Sequence, residues 1–259
     1  LEFPPRRQPG QLQQTILPAT AALASLFVFA LSVNLLPAAL LRASSDLGVS
    51  PEALAVVSSL QFGAFFVAAA GSGILADRGG KKRIFIASCI LMVIGAGMWA
   101  GTERLAHACA AAVFWGVAGG VFESMSSALL CDLFPRRRKL FMNLSQVLYS
   151  LGAVGGPWMA GLLLPRGTNW RFLFVGVGVC SGLLLLLYLG SHLPAPEAHE
   201  RVTRKRLLAM MRTWSFFTPC LAIFLYVLSE STIVVYANLY LRRAHAAPEN
   251  WAIYSIAFF

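Results

Sequence analysis

Charge is what this chain lacks. Only 12% of its 259 residues are charged while 58% are hydrophobic, about half the charged share of an ordinary soluble domain. With a mean hydropathy of +0.68, a soluble fold of this size has too little polar surface to cover itself. A water-soluble globule is excluded, and a lipid-embedded chain is expected. Cysteine is sparse and scattered: Cys89, Cys109, Cys131, Cys180 and Cys220 form no C-x-x-C pair and mostly sit inside apolar runs. They read as small hydrophobes, not as a disulfide frame or a thiolate site. His107, His192, His199 and His245 are equally dispersed, so no metal site is expected. No G-x-x-x-x-G-K-[ST] loop occurs, which argues against nucleotide-driven work. His or Ser does not cluster with Asp either, so an enzyme is not expected, and neither is a cofactor.

The little charge present is lopsided, with a net of +10. A nucleic-acid partner would need a continuous basic surface, whereas these cations fall in short gaps between apolar runs. The chain opens on a polar stretch, "LEFPPRRQPGQLQQT", unlike a cleavable signal peptide. It starts at Leu1 and stops at Phe259 inside an apolar run, so a fragment of a longer protein is expected.

About 20 apolar residues are needed to cross the hydrocarbon core as a helix. Seven segments qualify, at 17–41, 54–76, 84–101, 106–130, 140–164, 172–190 and 216–241, and an eighth begins near Trp251. The expected fold is therefore an all-α integral membrane bundle. Alternate gaps hold fifteen Lys and Arg on one side and six on the other. The positive-inside bias puts the N-terminus in the cytoplasm of a multi-pass cell-membrane (inner-membrane) protein. The longest gap, 191–215, reads as a cytoplasmic linker that includes a short amphipathic stretch, "RVTRKRLLAMMRTW". It separates a six-helix unit, 1–190, from the start of a second, 216–259. An internal repeat agrees with that plan: "SPEALAVVSSLQF" at 50–62 returns as "APENWAIYSIAFF" at 247–259, aligning Pro51-Glu52 with Pro248-Glu249 and Ala55 with Ala252. Such parallel repeats occur in two-halved transporters.

One short turn concentrates the charge. Gly73-Ile74-Leu75-Ala76-Asp77-Arg78-Gly79-Gly80-Lys81-Lys82-Arg83 resembles the G-x-L-A-D-R-x-G-R/K-R/K signature of the major facilitator superfamily, between helices two and three. The resemblance implies a six-plus-six helical bundle of which this chain is the first half and the first one to two helices of the second. It also implies a gate at Gly73, Asp77, Arg78, Gly80, Lys81 and Lys82, with Asp77 and Arg78 latching the halves together on the cytoplasmic side. Physics agrees with these residue types: Gly73 permits close approach of another helix, and Gly79 and Gly80 permit a tight turn. Asp77 has Arg78 and the lysines as candidate partners.

A second pattern, Gly152-Ala153-Val154-Gly155-Gly156-Pro157-Trp158-Met159-Ala160-Gly161, resembles the family's G-x-x-x-G-P-x-x-G-G, with Ala160 replacing one glycine. Gly152, Gly156 and Ala160 share a helix face for close packing, Pro157 can kink the helix, and Gly161 closes the pattern. In the family this pattern accompanies antiporters, although packing alone also explains it. The drug-efflux signature places an Arg four residues before a Gly in span four, where Ala112 precedes Gly116. "GGVFESMSSALLCDLFP", "FPRRRKLFMN" and "FLYVLSE" resemble sugar- and organic-solute-type members instead.

Two carboxylates fall deep in spans. Glu123 precedes Asp132 by nine residues, about 13 Å at the helical rise, and Glu230 is central in span seven. A charged carboxylate facing lipid costs at least a few kcal/mol, so each must face a cavity, find a partner or hold its proton. Either Glu123 or Glu230 is expected to carry a coupling proton, and a neutral Glu bridging two helices is the plainer alternative. Asn34, Gln61, Asn143, Gln146, Tyr149, Tyr226 and Asn238 are the other polar candidates for a solute site. Trp115 and Trp158 are expected to pack or line, and Trp170, Trp214 and Trp251 to lie at the interface.

The leading expectation is a monomeric secondary transporter of a small polar solute, of the sugar or organic-anion class, coupled to an ion, most simply H+. An efflux antiporter of the same superfamily is the alternative. A seven-helix receptor or sensor fits the span count but has no need of the Asp77 turn or the repeat.

Overall fold

The computed structural model describes residues 9–193 and 213–257. The described residues are helical, with no strand among them. We number the helices α1 (Pro9–Val33), α2 (Leu35–Leu47), α3 (Pro51–Gly79), α4 (Lys81–Ala100), α5 (Leu105–Leu133), α6 (Arg138–Leu163), α7 (Arg171–Gly190), α8 (Trp214–His245) and α9 (Glu249–Ala257). Seven candidate membrane crossings result, the first made of α1 and α2 together. The 191–215 linker and its amphipathic stretch fall outside the described residues from 194 to 212.

Span one is expected as one continuous helix, and the structure breaks it at Asn34. Pro37 explains the break: its ring displaces the carbonyl of Val33, four residues back, and it has no N–H to donate. Asn34 leaves the helical region at φ −95°, ψ 3°, and its carbonyl starts α2 by accepting from the Ala38 N–H at 3.1 Å. The start of α3 is set locally. Ser50 accepts from the Ala53 N–H at 3.2 Å, Pro51 occupies the first turn, and Glu52 offers its charge to the positive end of the helix.

Packing follows small residues. Each helix pair α3–α5 and α1–α6 carries two glycines one turn apart that face backbone. A Cβ at Gly116 would strike the Gln61 carbonyl and one at Gly120 the Phe65 carbonyl, both on α3. Gly152 and Gly156 meet the Phe27 and Leu31 carbonyls of α1 in the same way. In lipid, where no hydrophobic force drives helices together, such close approach maximises dispersion contact. Pro157 sits inside α6 just after this contact.

Aromatic groups close the core at two levels. Trp99 of α4 stacks on Phe174 of α7 with centroids 5.0 Å apart, and Trp115 of α5 meets the same ring edge-on at 5.2 Å. Trp170, expected at the lipid interface, is buried at 3% exposure instead. Its indole donates to Asp46 at 3.1 Å, and that bond draws the ring inward. Trp214 and Trp251 remain exposed, as an interfacial belt requires. At the other level Phe85 stacks on Tyr188 at 4.5 Å, and Tyr188 shares a hydrogen bond with Ser25 of α1 at 2.9 Å.

Candidate functional site

The charged turn joins α3 to α4, and only one of its glycines needs left-handed backbone. Gly80 has φ +83°, a region a Cβ disfavours, while Gly79 still belongs to α3. The lysines do not pair with Asp77. Lys81 forms an ion pair with Asp132 at the end of α5. Lys82 donates to the Leu189 and Ser191 carbonyls, each at 2.8 Å, and so caps the C-terminal end of α7, where carbonyls lack helical partners. The turn thus ties α4 to the ends of α5 and α7. Asp77 and Arg78 have no ion-pair partner among the described residues, and a Cβ at Gly73 would meet open space. That edge is left uncovered by the described helices.

Glu123 lies inside α5, about 15 Å from the helix end at Leu133. Its Oε2 is buried and has no hydrogen-bond partner in the structure. Tyr149 of α6 lies within electrostatic range of Glu123, and also of Glu230 and Tyr226 on α8. Tyr226 is exposed, and α8 packs chiefly on α9 and α2, so its two polar candidates act on Tyr149 at a distance only. Tyr226 and Glu230, one turn apart, also interact with each other. Beside them Phe29 stacks on Phe65 with centroids 5.4 Å apart, and Phe29 meets Tyr149 at 6.2 Å.

The remaining candidates scatter. Asn34, at the break in span one, donates to the Ala153 carbonyl at 3.3 Å, joining the unwound point to α6. Gln61 is buried beneath Gly116. Asn143 and Gln146 are exposed on α6. The side chain of Asn238 lies outside those described. Gly161 packs against the Tyr254 ring of α9, and Trp115 donates to Ser32 Oγ at 2.8 Å. Among the described residues no group of three His, Cys, Asp or Glu is arranged for a metal ion.

Sequence reasoning missed two features. The Phe29–Phe65 wall has no motif. Arg42, Glu52, Arg243 and Glu249 were visible only as loop charges and repeat markers, yet they meet across the end of the bundle remote from Gly80. Arg42 holds Glu249 with two hydrogen bonds, at 2.5 and 2.8 Å, and Arg243 donates to Glu52 at 2.8 Å. The Arg42 guanidinium holds the Glu249 carboxyl below the ordinary carboxylate range, against a smaller opposing effect of burial.

The family model described as Major Facilitator Superfamily matches residues 21–259. Among curated relatives, the chain is 30% identical over 129 residues to an MFS-type efflux transporter, phmH, of Phaeosphaeria nodorum, covering 45% of this chain and 22% of that one. It is 29% identical over 163 residues to a multidrug resistance protein B homolog of Mycobacterium tuberculosis, covering 62% and 28%. Among solved structures, a D-xylose-proton symporter superposes with a TM-score of 0.71 at 12% identity, covering 95% of this chain and 65% of that one. The nucleoside transporter NupG gives 0.70 at 17% identity, covering 92% and 63%. These superpositions are a likeness of fold. The matched stretch spans about a quarter of the length of the curated relatives.

Proposed function

The chain belongs to the major facilitator superfamily, and from that membership we propose that it serves a secondary transporter moving a small organic solute by alternating access, with a proton as the coupling ion. The observation that carries the reading is the buried, unpartnered Oε2 of Glu123, whose charge acts on Tyr149 of α6, as do those of Glu230 and Tyr226 on α8 from farther off. A carboxyl that finds no partner in lipid must hold a proton or meet water. A change in which side reaches it by water then moves that proton across the bilayer. Tyr149 and Tyr226 supply hydroxyl groups for a polar solute near mid-membrane, where the halves of such transporters meet.

The solute class that suits this zone is a sugar or an organic anion. An anion fits only when Glu123 is protonated, because two like charges in one dry site repel strongly. Proton symport meets that condition. The efflux antiporter is a second reading, supported by the names of the curated relatives and by the apolar Phe29–Phe65 wall beside Tyr149. In either case the protein is a monomer in the cell membrane with its N-terminus cytoplasmic, and the Asp77–Arg78 turn closes the cytoplasmic side.

Full-length protein in liposomes tests this. Wild type accumulates solute when an imposed proton gradient points inward for symport, or expels it against an opposite gradient for antiport. Glu123→Gln abolishes the gradient-driven component while solute exchange at equal pH persists. Unchanged gradient dependence in Glu123→Gln removes Glu123 as the carrier, and the same result in Glu230→Gln removes proton coupling through this zone.

A further inference from the structure

The four charges missed by sequence reasoning form a related set. Glu52 and Glu249 are repeat equivalents, 197 residues apart, each directly after a proline and each in the first turn of its helix. Each pairs with an arginine near the end of the first span of the opposite half. Glu249 of the second half takes Arg42 of α2, and Glu52 of the first half takes Arg243 in the last turn of α8. The two arginines are 201 residues apart, the repeat plus one helical turn. The contacts are thus reciprocal: each half offers one acid and one base to the other.

The two pairs differ in quality. Arg42 and Glu249 are one-third or less exposed, at 33% and 27%, and joined through two parallel bonds. Such fork-to-carboxylate pairing fixes geometry as well as adding energy. Arg243 and Glu52 are over half exposed, at 58% and 53%, so solvent screens them and their share is small. A third pair stands guard. Asp46 lies one turn after Arg42 on α2, where it would compete for that guanidinium. It is instead held by Arg171 and by the Trp170 indole, and Arg171 is fixed in turn by the Thr102 carbonyl at 2.7 Å. Arg42 is left for the other half. An open crevice of about 560 Å³, lined by Arg42, Asp46, Asn169 and Trp170, reaches this end, so these charges can rehydrate when the pairs part.

We infer that Arg42–Glu249 and Glu52–Arg243 form a pseudo-symmetric clasp that holds the two halves closed at the end opposite the charged turn, and that the clasp must open once per transport cycle. The inference rests on the transporter reading above for the cycle, but not for the contact itself. Placed by the cation bias of the loops, this end is the extracellular one.

The test uses full-length protein in membranes, with all its native cysteines, the five of this chain included, replaced by alanine and Ala252→Cys as a reporter. Ala252 is fully buried, one turn inside Glu249 on α9, so a membrane-impermeant maleimide added outside reaches it only when this end opens. Arg42→Glu and Glu249→Arg are each expected to raise the labelling rate roughly three- to thirtyfold, the span between an exposed pair and a well-formed charged one. The charge-swapped double variant, Arg42→Glu with Glu249→Arg, returns it toward the wild-type rate. Arg243→Glu raises it less, and Glu52→Arg with Arg243→Glu restores it. Single reversals that leave labelling unchanged overturn the clasp, as does a swap that fails to restore slow labelling in protein of normal membrane yield. Labelling that follows this pattern while no solute moves in any liposome assay supports the clasp and instead removes the transporter reading.

Discussion

The glycines divide into groups whose replacement by alanine must change stability with opposite signs. In a helix interior, Gly→Ala gains about 1 kcal/mol from backbone entropy and hydrogen-bond protection. Gly97 of α4 and Gly176 of α7 face open space, so that gain is realised in full. At Gly116, Gly120, Gly152 and Gly156 the new methyl meets backbone of the facing helix. A carbonyl fixed in a helix cannot swing aside as a side chain can. At Gly152 the methyl also lies 3.0 Å from both the Ala30 Cβ and the Leu31 N, so relief requires the whole of α1 to move by several tenths of an ångström. Overpacking of this kind costs about 1–3 kcal/mol, which outweighs the propensity gain. Gly119 and Gly161 are opposed by the Phe29 and Tyr254 rings, which can rotate, and should fall between. Thermal melting of the purified full-length protein reads the series: Gly97→Ala and Gly176→Ala rise by a few degrees, and the four backbone-facing variants fall by about 2–8 °C. Melting of Gly152→Ala and Gly156→Ala at or above wild type would show that α1 and α6 are not in the contact described.

Two further outcomes follow from single contacts. Trp115→Phe strands no buried donor but leaves Ser32 Oγ without the indole, so it costs about 1 kcal/mol. Ser32→Ala leaves the indole N–H unpaired and costs more, and the double variant costs less than the sum, as read by a melting cycle. The clasp has a defined pH response. Arg42 lowers the carboxyl of Glu249 below its ordinary 4.5, and Arg242 of α8 adds to the effect. A lowered carboxylate contributes fully above that ordinary value and loses its contribution as pH falls through the lowered one. Labelling of the Ala252→Cys reporter, taken at each pH as a ratio to that of a fully exposed cysteine so that the loss of thiolate cancels, therefore stays low from pH 8 to about pH 5 and rises only below pH 4.5; a midpoint near pH 6 would point to another group.

Much of this arrangement is legible in the residues because lipid simplifies the code. Every crossing must be a helix long enough to span, so apolar runs locate the spans to within a few residues. Gly80 and the Gly152–Gly156 face are readable for the same reason, since only glycine suits those backbones. The break at Asn34 was within reach, because Pro37 three residues on forbids the ladder there. What stayed hidden is pairing across distance. Lys81 and Lys82 sit beside Asp77 in sequence, yet Asp132 and the α7 carbonyls take them. Trp170 looked interfacial because nothing in its own segment announces Asp46, 124 residues earlier.

The contacts differ in kind from one helix pair to the next. Among the helices before the linker, α1–α6 and α3–α5 meet through glycine against backbone, a close-range dispersion contact that a gap of about 0.5–1 Å weakens by a quarter to a half. Helices α8 and α9 meet the preceding helices through ion pairs at Arg42–Glu249 and Arg243–Glu52, through Tyr254 over Gly161, and through the buried apolar side chains Ala252, Ile253 and Ile256 of α9. Separated ions regain water, which returns much of their energy. The ion pairs are therefore the contacts that can part at small net cost, while the buried apolar face of α9 has to be covered again whenever it leaves α6.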